Sequence, residues 1–248
     1  MVDRTWIRPD WPAPGSVRSL VTTRSGGQSG AGSRGPYASF NLGAHVGDDV
    51  HAVLENRRRL HKHLPAEPLW LRQVHGTHVV AAERSGPEPE ADAAVAHSTG
   101  PVLAVLTADC LPVLLCDRAG STVGIAHAGW RGLAAGVIEN TVEAMGRPSG
   151  ELLAYLGPAI GPSAYEVGED VRRSFVGMDP ADEEAFAPRG GGKFLADLYR
   201  LARHRLLKAG IMAVFGGRHC TYREQALFYS YRRDGATGRM ASLIWLDA

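Results

Sequence analysis

Residues 101–132 read PVLAVLTADCLPVLLCDRAGSTVGIAHAGWRG. Three short apolar runs stand in this stretch: 101–107, 111–116 and 122–127. Each has strand length and is almost continuously apolar, so both faces of each strand should be covered. After Gly129-Trp130-Arg131-Gly132 the period becomes helical, with Leu133, Val137, Ile138, Val142 and Met145 as the inner stripe. Strands followed by strands, and only then by a helix, lack the regular alternation of a doubly wound sheet. The stretch predicts a mixed α/β fold.

Working outward, 17–23 (VRSLVTT) reads as a strand, and the Gly/Ser-rich 25–36 as a flexible surface connection. Asp48 or Asp49 caps a helix with Val50, Val53, Leu54, Leu60 and Leu64 on one face. Residues 69–80 read as a strand broken near His75-Gly76. Further on come a strand at 152–156, a short helix at 169–176 and an acidic, then glycine-rich, mobile loop at 180–192. Leu195, Leu198, Leu201, Ala202, Leu206 and Ala209 mark a second long amphipathic helix, closed by Gly210. The last strands are expected around Val214, over 227–231 and over 243–246. No linker splits the chain, so residues 1–248 are expected to form one α/β (α+β) domain.

Composition bounds the function. The 248 residues are 44% hydrophobic and 21% charged, the balance of a folded globular protein. A net charge of +1 argues against a dedicated nucleic-acid partner. No run approaches the roughly 18 apolar residues of a membrane span. The start, Met1-Val2-Asp3-Arg4, lacks the pattern of a signal peptide, so a cytoplasmic protein is expected. Three cysteines, Cys110, Cys116 and Cys220, are too few for a disulfide framework. Glycine is in excess, 30 of 248, which indicates many tight turns.

Most of the ten histidines sit in unremarkable surroundings. His75, Cys110 and His127 differ, because each ends or follows an expected strand within a tight turn. Two imidazoles and a thiolate make a suitable three-ligand set for zinc, leaving a fourth position for water. The separations match no local zinc motif, and on spacing alone a buried thiol with two satisfied core histidines is the favoured reading. A Cys–His nucleophile and base pair is a further use of the same residues, with Asp109 as orienting or acid/base group. His78 is a rival ligand that should face away from His75, and Cys116 reads as core. Arg131 and the Arg232-Arg233 pair are cationic candidates; the backbone N–H groups after Gly129 would favour an anion. The alternative is that the arginine pair decorates a hairpin ending at Asp234-Gly235.

These segments together resemble the laccase-domain, YfiH-type family, described first as polyphenol oxidoreductases and later as zinc-dependent purine nucleoside phosphorylases. The resemblance lies in Thr22-Thr23-Arg24, Phe40-Asn41-Leu42-Gly43, His45-Val46-Gly47-Asp48, Gln73-Val74-His75-Gly76 and Thr107-Ala108-Asp109-Cys110-Leu111-Pro112. It continues through His127-Ala128-Gly129-Trp130-Arg131-Gly132, Leu156-Gly157-Pro158, Cys220-Thr221-Tyr222, Ser230-Tyr231-Arg232-Arg233 and Gly238-Arg239-Met240. It implies a mixed-sheet sandwich flanked by helices, related in architecture to a toxin deamidase. It implies His75, Cys110 and His127 as metal ligands, for zinc or else copper, and Asp109 and Cys110 as catalytic residues. Asn41, His45, Arg131 and Arg232 are the implied substrate-binding residues.

The activity implied is phosphorolysis of adenosine, inosine, guanosine and methylthioadenosine, with adenosine deamination at the same site. The partners are then purine nucleosides and phosphate, and the assembly a monomer or small homo-oligomer. Alternatives are a copper-dependent polyphenol oxidase (laccase), a hydrolase editing peptidoglycan precursors, and a metal-stabilised interaction module without activity.

Overall fold

The computed structural model describes residues 6–29 and 35–247, so part of the Gly/Ser-rich segment lies outside the described residues. Two mixed sheets carry the fold. The six-stranded one runs in the order β12 (Ala213–Gly216), β8 (Leu152–Leu156), β6 (Leu111–Asp117), β7 (Val123–Ala128), β4 (Ala93–Ala96) and β3 (Val79–Ala81). The four-stranded one runs β1 (Val17–Val21), β13 (Met240–Leu246), β5 (Val102–Thr107) and β2 (Pro68–Leu69). Among these strands, β12–β8, β3–β4 and β2–β5 pair in parallel and the others antiparallel. A smaller antiparallel sheet joins β10 (Phe186–Gly190), β11 (Lys193–Ala196) and β9 (Glu166–Gly168).

Strand periodicity explains how the layers stack, because successive side chains point to opposite faces. In β5, Leu103 and Val105 face the space between the two large sheets, where Leu114 and Cys116 of β6, Ile125 of β7 and Ile244 of β13 meet them. The alternate residues Val102, Ala104 and Leu106 face outward onto Leu60 of α1 (Val50–His61), with Phe40, Leu42 and Trp70. On the other side, Val113, Leu115 and Ala126 pack under α2 (Trp130–Ala135), α3 (Val137–Met145) and α5 (Leu198–Lys208). The result is a helix–sheet–sheet–helix sandwich. Each fully buried Leu or Ile in it contributes about 1.5–3 kcal/mol relative to exposure.

The expected strands at 17–23, 101–107, 111–116, 122–127, 152–156 and 243–246 are present, as is the short helix α4 (Glu169–Val176). The helix after the glycine turn begins earlier, at Trp130, and breaks at Gly136, whose φ of 100° is left-handed. In α1, Val53 and Leu60 are buried, but Val50 and Leu54 are exposed. Asn56 takes the inner face instead, donating to Ser29 Oγ and to the carbonyls of Ser39 and Asn41.

Residues 180–192 are not a free loop. Asp179 caps a 3₁₀ turn by accepting from the Ala181 N–H, and Phe186–Gly190 pairs with β11, which also takes Leu195 out of the helix. Residues 227–231 form no strand. Phe228 and Tyr229 are buried in irregular chain, and Ser230 caps the helical turn α6 (Tyr231–Asp234), which stands where the alternative reading put a hairpin.

Candidate metal centre

The chain leaves the four-stranded sheet at Thr107 and enters the six-stranded one at Leu111, so Cys110 sits where the two sheets exchange strands. Asp109 makes that turn at φ 99°, a region that costs a non-glycine residue free energy. Its carboxylate is held from three sides. Oδ1 accepts from Thr221 Oγ1 at 2.6 Å; Oδ2 accepts from Ser230 Oγ at 3.0 Å and the Arg232 N–H at 2.7 Å. The turn is thereby tied to the start of α6.

His127 stands near the end of β7, and the β6–β7 register sets it opposite Pro112, two residues after Cys110. His75 arrives on the loop between β2 and β3 at φ 61°. Asp92, fully buried before β4, joins the two histidines. Its Oδ1 accepts from His127 Nδ1 at 2.8 Å and from the His75 N–H at 2.9 Å. Its Oδ2 accepts from the N–H groups of Val74 at 3.1 Å and Gly76 at 2.7 Å.

The donor atoms of His75, Cys110 and His127 consequently lie within 4.8 Å of one another, and no other such His/Cys/Asp/Glu group occurs among the described residues. Cys110 Sγ is 3.8 Å from His75 Nε2, and the two imidazole rings meet edge to face at 4.8 Å. Burial opposes the Cys110 thiolate, but the facing His127 and His75 rings outweigh it and pull the thiol below its ordinary range. Burial likewise opposes charge on His127, and Cys110 and Asp92 outweigh it and push the imidazole up. These donors favour bound positive charge.

Glycine makes the approach possible. A Cβ on Gly129 would lie 2.8 Å from His75 Cδ2 and 3.1 Å from Cys110 Sγ, and one on Gly132 would lie 2.7 Å from the Gly76 carbonyl. The glycines of this turn serve close packing around the donors, and α2 is only six residues long. A compact His₂Cys set with a fixed histidine tautomer fits zinc, and by softness copper as well.

The donors open into a cavity of about 360 Å³, within the range of small-molecule sites. Arg131, Arg232 and Arg239 reach it, with Trp130, Tyr165 and Tyr231 as aromatic wall. Arg131 lies 4.4 Å from the Trp130 ring and Arg232 5.1 Å from that of Tyr165. Arg232 also donates to the Glu166 carbonyl at 2.6 Å. Burial lowers the pKa of His45, which lines the cavity, and Arg239 and Arg57 lower it further, which favours the neutral ring.

Asn41 does not line the cavity. Its Oδ1 accepts from the N–H groups of Gly43 and Arg239, and its Nδ2 donates to Gly43 O and Asp48. Arg233 is spent on the carbonyls of Thr221, Tyr222 and Phe228. Cys116 is core: burial pushes its thiol up to about 12. Asp92 and Arg239 escaped the sequence reading, although Arg239 stands in a segment that carried the resemblance.

The fold and site define a mixed α/β sandwich with a His–Cys–His donor set beneath an arginine-lined pocket. The family model described as multi-copper polyphenol oxidoreductase laccase matches residues 18–247, and the chain belongs to that family. A protein of Pseudomonas aeruginosa named purine nucleoside phosphorylase is 56% identical over 243 residues, 98% of each chain. The Escherichia coli purine nucleoside phosphorylase YfiH is 52% identical, over 97% of this chain and 98% of its own. Among solved structures, a Neisseria meningitidis protein of 53% identity superposes with a TM-score of 0.95, covering 99% of this chain and 100% of that one. YlmD from Geobacillus stearothermophilus, 32% identical, gives 0.91 over 100% and 98%. No helix among the described residues is long and apolar enough to cross a membrane.

Proposed function

We propose that this protein is a metal-dependent purine nucleoside phosphorylase, which breaks the glycosidic bond with inorganic phosphate to give free base and sugar 1-phosphate. The carrying observation is that one cavity of nucleoside size faces both the His75–Cys110–His127 donors and the guanidiniums of Arg131, Arg232 and Arg239. The names of the relatives at 52–56% identity support the same reading. The core shared by both large sheets supports treating residues 1–248 as one domain.

The donor set supports zinc, which supplies Lewis acidity when bound. Arg131 and Arg232 hold phosphate against the sugar carbon, converting a two-substrate encounter into an oriented one. Trp130, Tyr165 and Tyr231 offer aromatic faces to a purine. His45, with its neutral ring favoured, is suited to hydrogen-bond a sugar hydroxyl. Asp109 acts by positioning: all three of its bonds run to the protein, and they fix Cys110 beside Arg232. Asn41 positions the backbone of Arg239 behind the cavity. Adenosine deamination, consuming water and releasing ammonia, belongs to the same pocket in this reading.

Copper oxidation of phenols is favoured by one observation, that a His₂Cys set also binds copper. A single cluster among the described residues suits four-electron reduction of oxygen poorly. The deciding assay follows base release from inosine with and without phosphate. Strict phosphate dependence is expected, with Arg232→Ala raising the KM for phosphate and keeping its metal. Phosphate-independent turnover, or phenol oxidation without base release, would overturn the proposal.

A further inference from the structure

A second cavity, of about 420 Å³, lies behind the wall of the first and is lined by Arg200, Arg203, Arg218, Arg223, His219 and Cys220. In a chain of net charge +1, four guanidiniums around one hollow are a pronounced concentration of positive charge. Arg200 is neutralised by Glu184. The other three are not. Arg203 donates only to the carbonyls of Val214 at 3.1 Å and Gly216 at 2.8 Å, which orient its plane and leave its charge uncompensated. Arg218 and Arg223 are exposed, and their guanidiniums have no hydrogen-bond or ion-pair partner among the described residues. Two acids stand close by, and neither pairs with a guanidinium: Asp197, on the cavity wall, caps α5 at the Arg200 N–H, and Glu224 accepts from His219 Nδ1 and the Cys220 N–H.

One oriented guanidinium, Arg203, and two without ion-pair partners, Arg218 and Arg223, line one concave site, and guanidiniums recognise phosphoryl oxygens through paired, charge-assisted hydrogen bonds. We propose that this cavity is a second, anion-binding site that takes a phosphorylated small molecule, gripped by Arg203, Arg218 and Arg223. Its lining does not include the donor cluster, and its occupancy does not require the reaction proposed there.

The wall between the cavities is thin enough to couple them. Cys220 pairs with Ala159 across a β-bridge, and its Sγ accepts from the Gly161 N–H at 3.3 Å. The next residues along each strand of that wall reach Asp109: Thr221 donates to its carboxylate, and the Ile160 N–H donates to its carbonyl at 2.9 Å. An anion seated on Arg218 and Arg223 therefore bears on the segment that holds the Cys110 turn.

Cys220 is a built-in reporter, half-buried in this cavity. Its alkylation by iodoacetamide, a neutral reagent, is followed by peptide mass spectrometry, which separates it from Cys110 and Cys116. The probes are inorganic phosphate, ribose 5-phosphate and adenosine monophosphate, each against sodium chloride of equal ionic strength. At about ten times Kd a bound probe should slow Cys220 labelling about tenfold, as the free fraction falls. The paired variant Arg218→Glu, Arg223→Glu, altered only at exposed side chains, should lose that protection and keep its thermal unfolding temperature. The probe that protects at the lowest concentration distinguishes free phosphate from a sugar phosphate or nucleotide. Equal protection by sodium chloride, no protection by any probe, or undiminished protection in the folded variant would overturn the proposal.

Discussion

The carboxylate of Asp92 lies 2.8 Å from Nδ1 of His127, and both groups are buried. Nδ1 is thereby committed as a donor, and Nε2 is left as the ring's free donor atom on the Cys110 side. The same carboxylate gathers three backbone N–H groups around His75. One side chain sets both histidines of the donor set.

Asp92→Asn should therefore weaken metal binding about 10–100-fold, the usual cost of removing such a partner. Competition against a chromophoric chelator measures it. Unchanged affinity in the folded variant would mean that the histidines are held by other contacts.

Gly129→Ala places a methyl group against His75 and Cys110, both of which are donors. Metal content after dialysis should fall well below one equivalent, while circular dichroism stays native. Full metal occupancy would show that the turn yields more than close packing allows.

Asp109→Asn keeps the shape of the turn but sets an NH2, which accepts no hydrogen bond, in place of one carboxylate oxygen, so at least one of the three donors loses its acceptor. A loss of about 1–3 kcal/mol in unfolding free energy is expected. Base release should drop in kcat, with little change in metal content. A variant of wild-type stability and rate would remove Asp109 from the positioning role.

Far from the site, Asp117 ties the β6–β7 turn, accepting from Ser121 N and Oγ and from Thr122 N. Burial raises its pKa, but these donors and Arg147 outweigh burial and hold the carboxyl below its ordinary value. Its stabilisation is thus present above the unfolded value of about 3.9 and fades as pH falls through the folded one. Urea unfolding should show Asp117→Asn weaker than wild type by about 1–3 kcal/mol near pH 7, the gap closing as pH falls below the unfolded value and through the lower folded one. A gap that persists in acid would point to the turn's shape and not to its charge.

What could be read from the chain followed from how strongly each residue's role is imprinted locally. Residues 102–107, 111–117 and 123–128 lie between two covering layers, so their apolar runs are continuous and visible. His75, Cys110 and His127 stood out as polar residues at the ends of such runs. Asp92 did not, because β4 is built mostly of alanine, a weak strand former, and its partner His127 is 35 residues away. Residues 227–231 misled for the opposite reason: Phe228 and Tyr229 are apolar for packing, while Ser230 and Asp109 turn the chain into α6. The acidic stretch after Asp179 looked solvated, yet Asp182 is buried against His204 and Arg205.

Phosphorus NMR of the metal-loaded protein with inosine and inorganic phosphate tests the account most directly. A sugar-phosphate resonance should grow as the phosphate signal shrinks, in step with hypoxanthine, and should be absent with Cys110→Ala. A metal-loaded, folded protein that leaves both inosine and phosphate unchanged would contradict it.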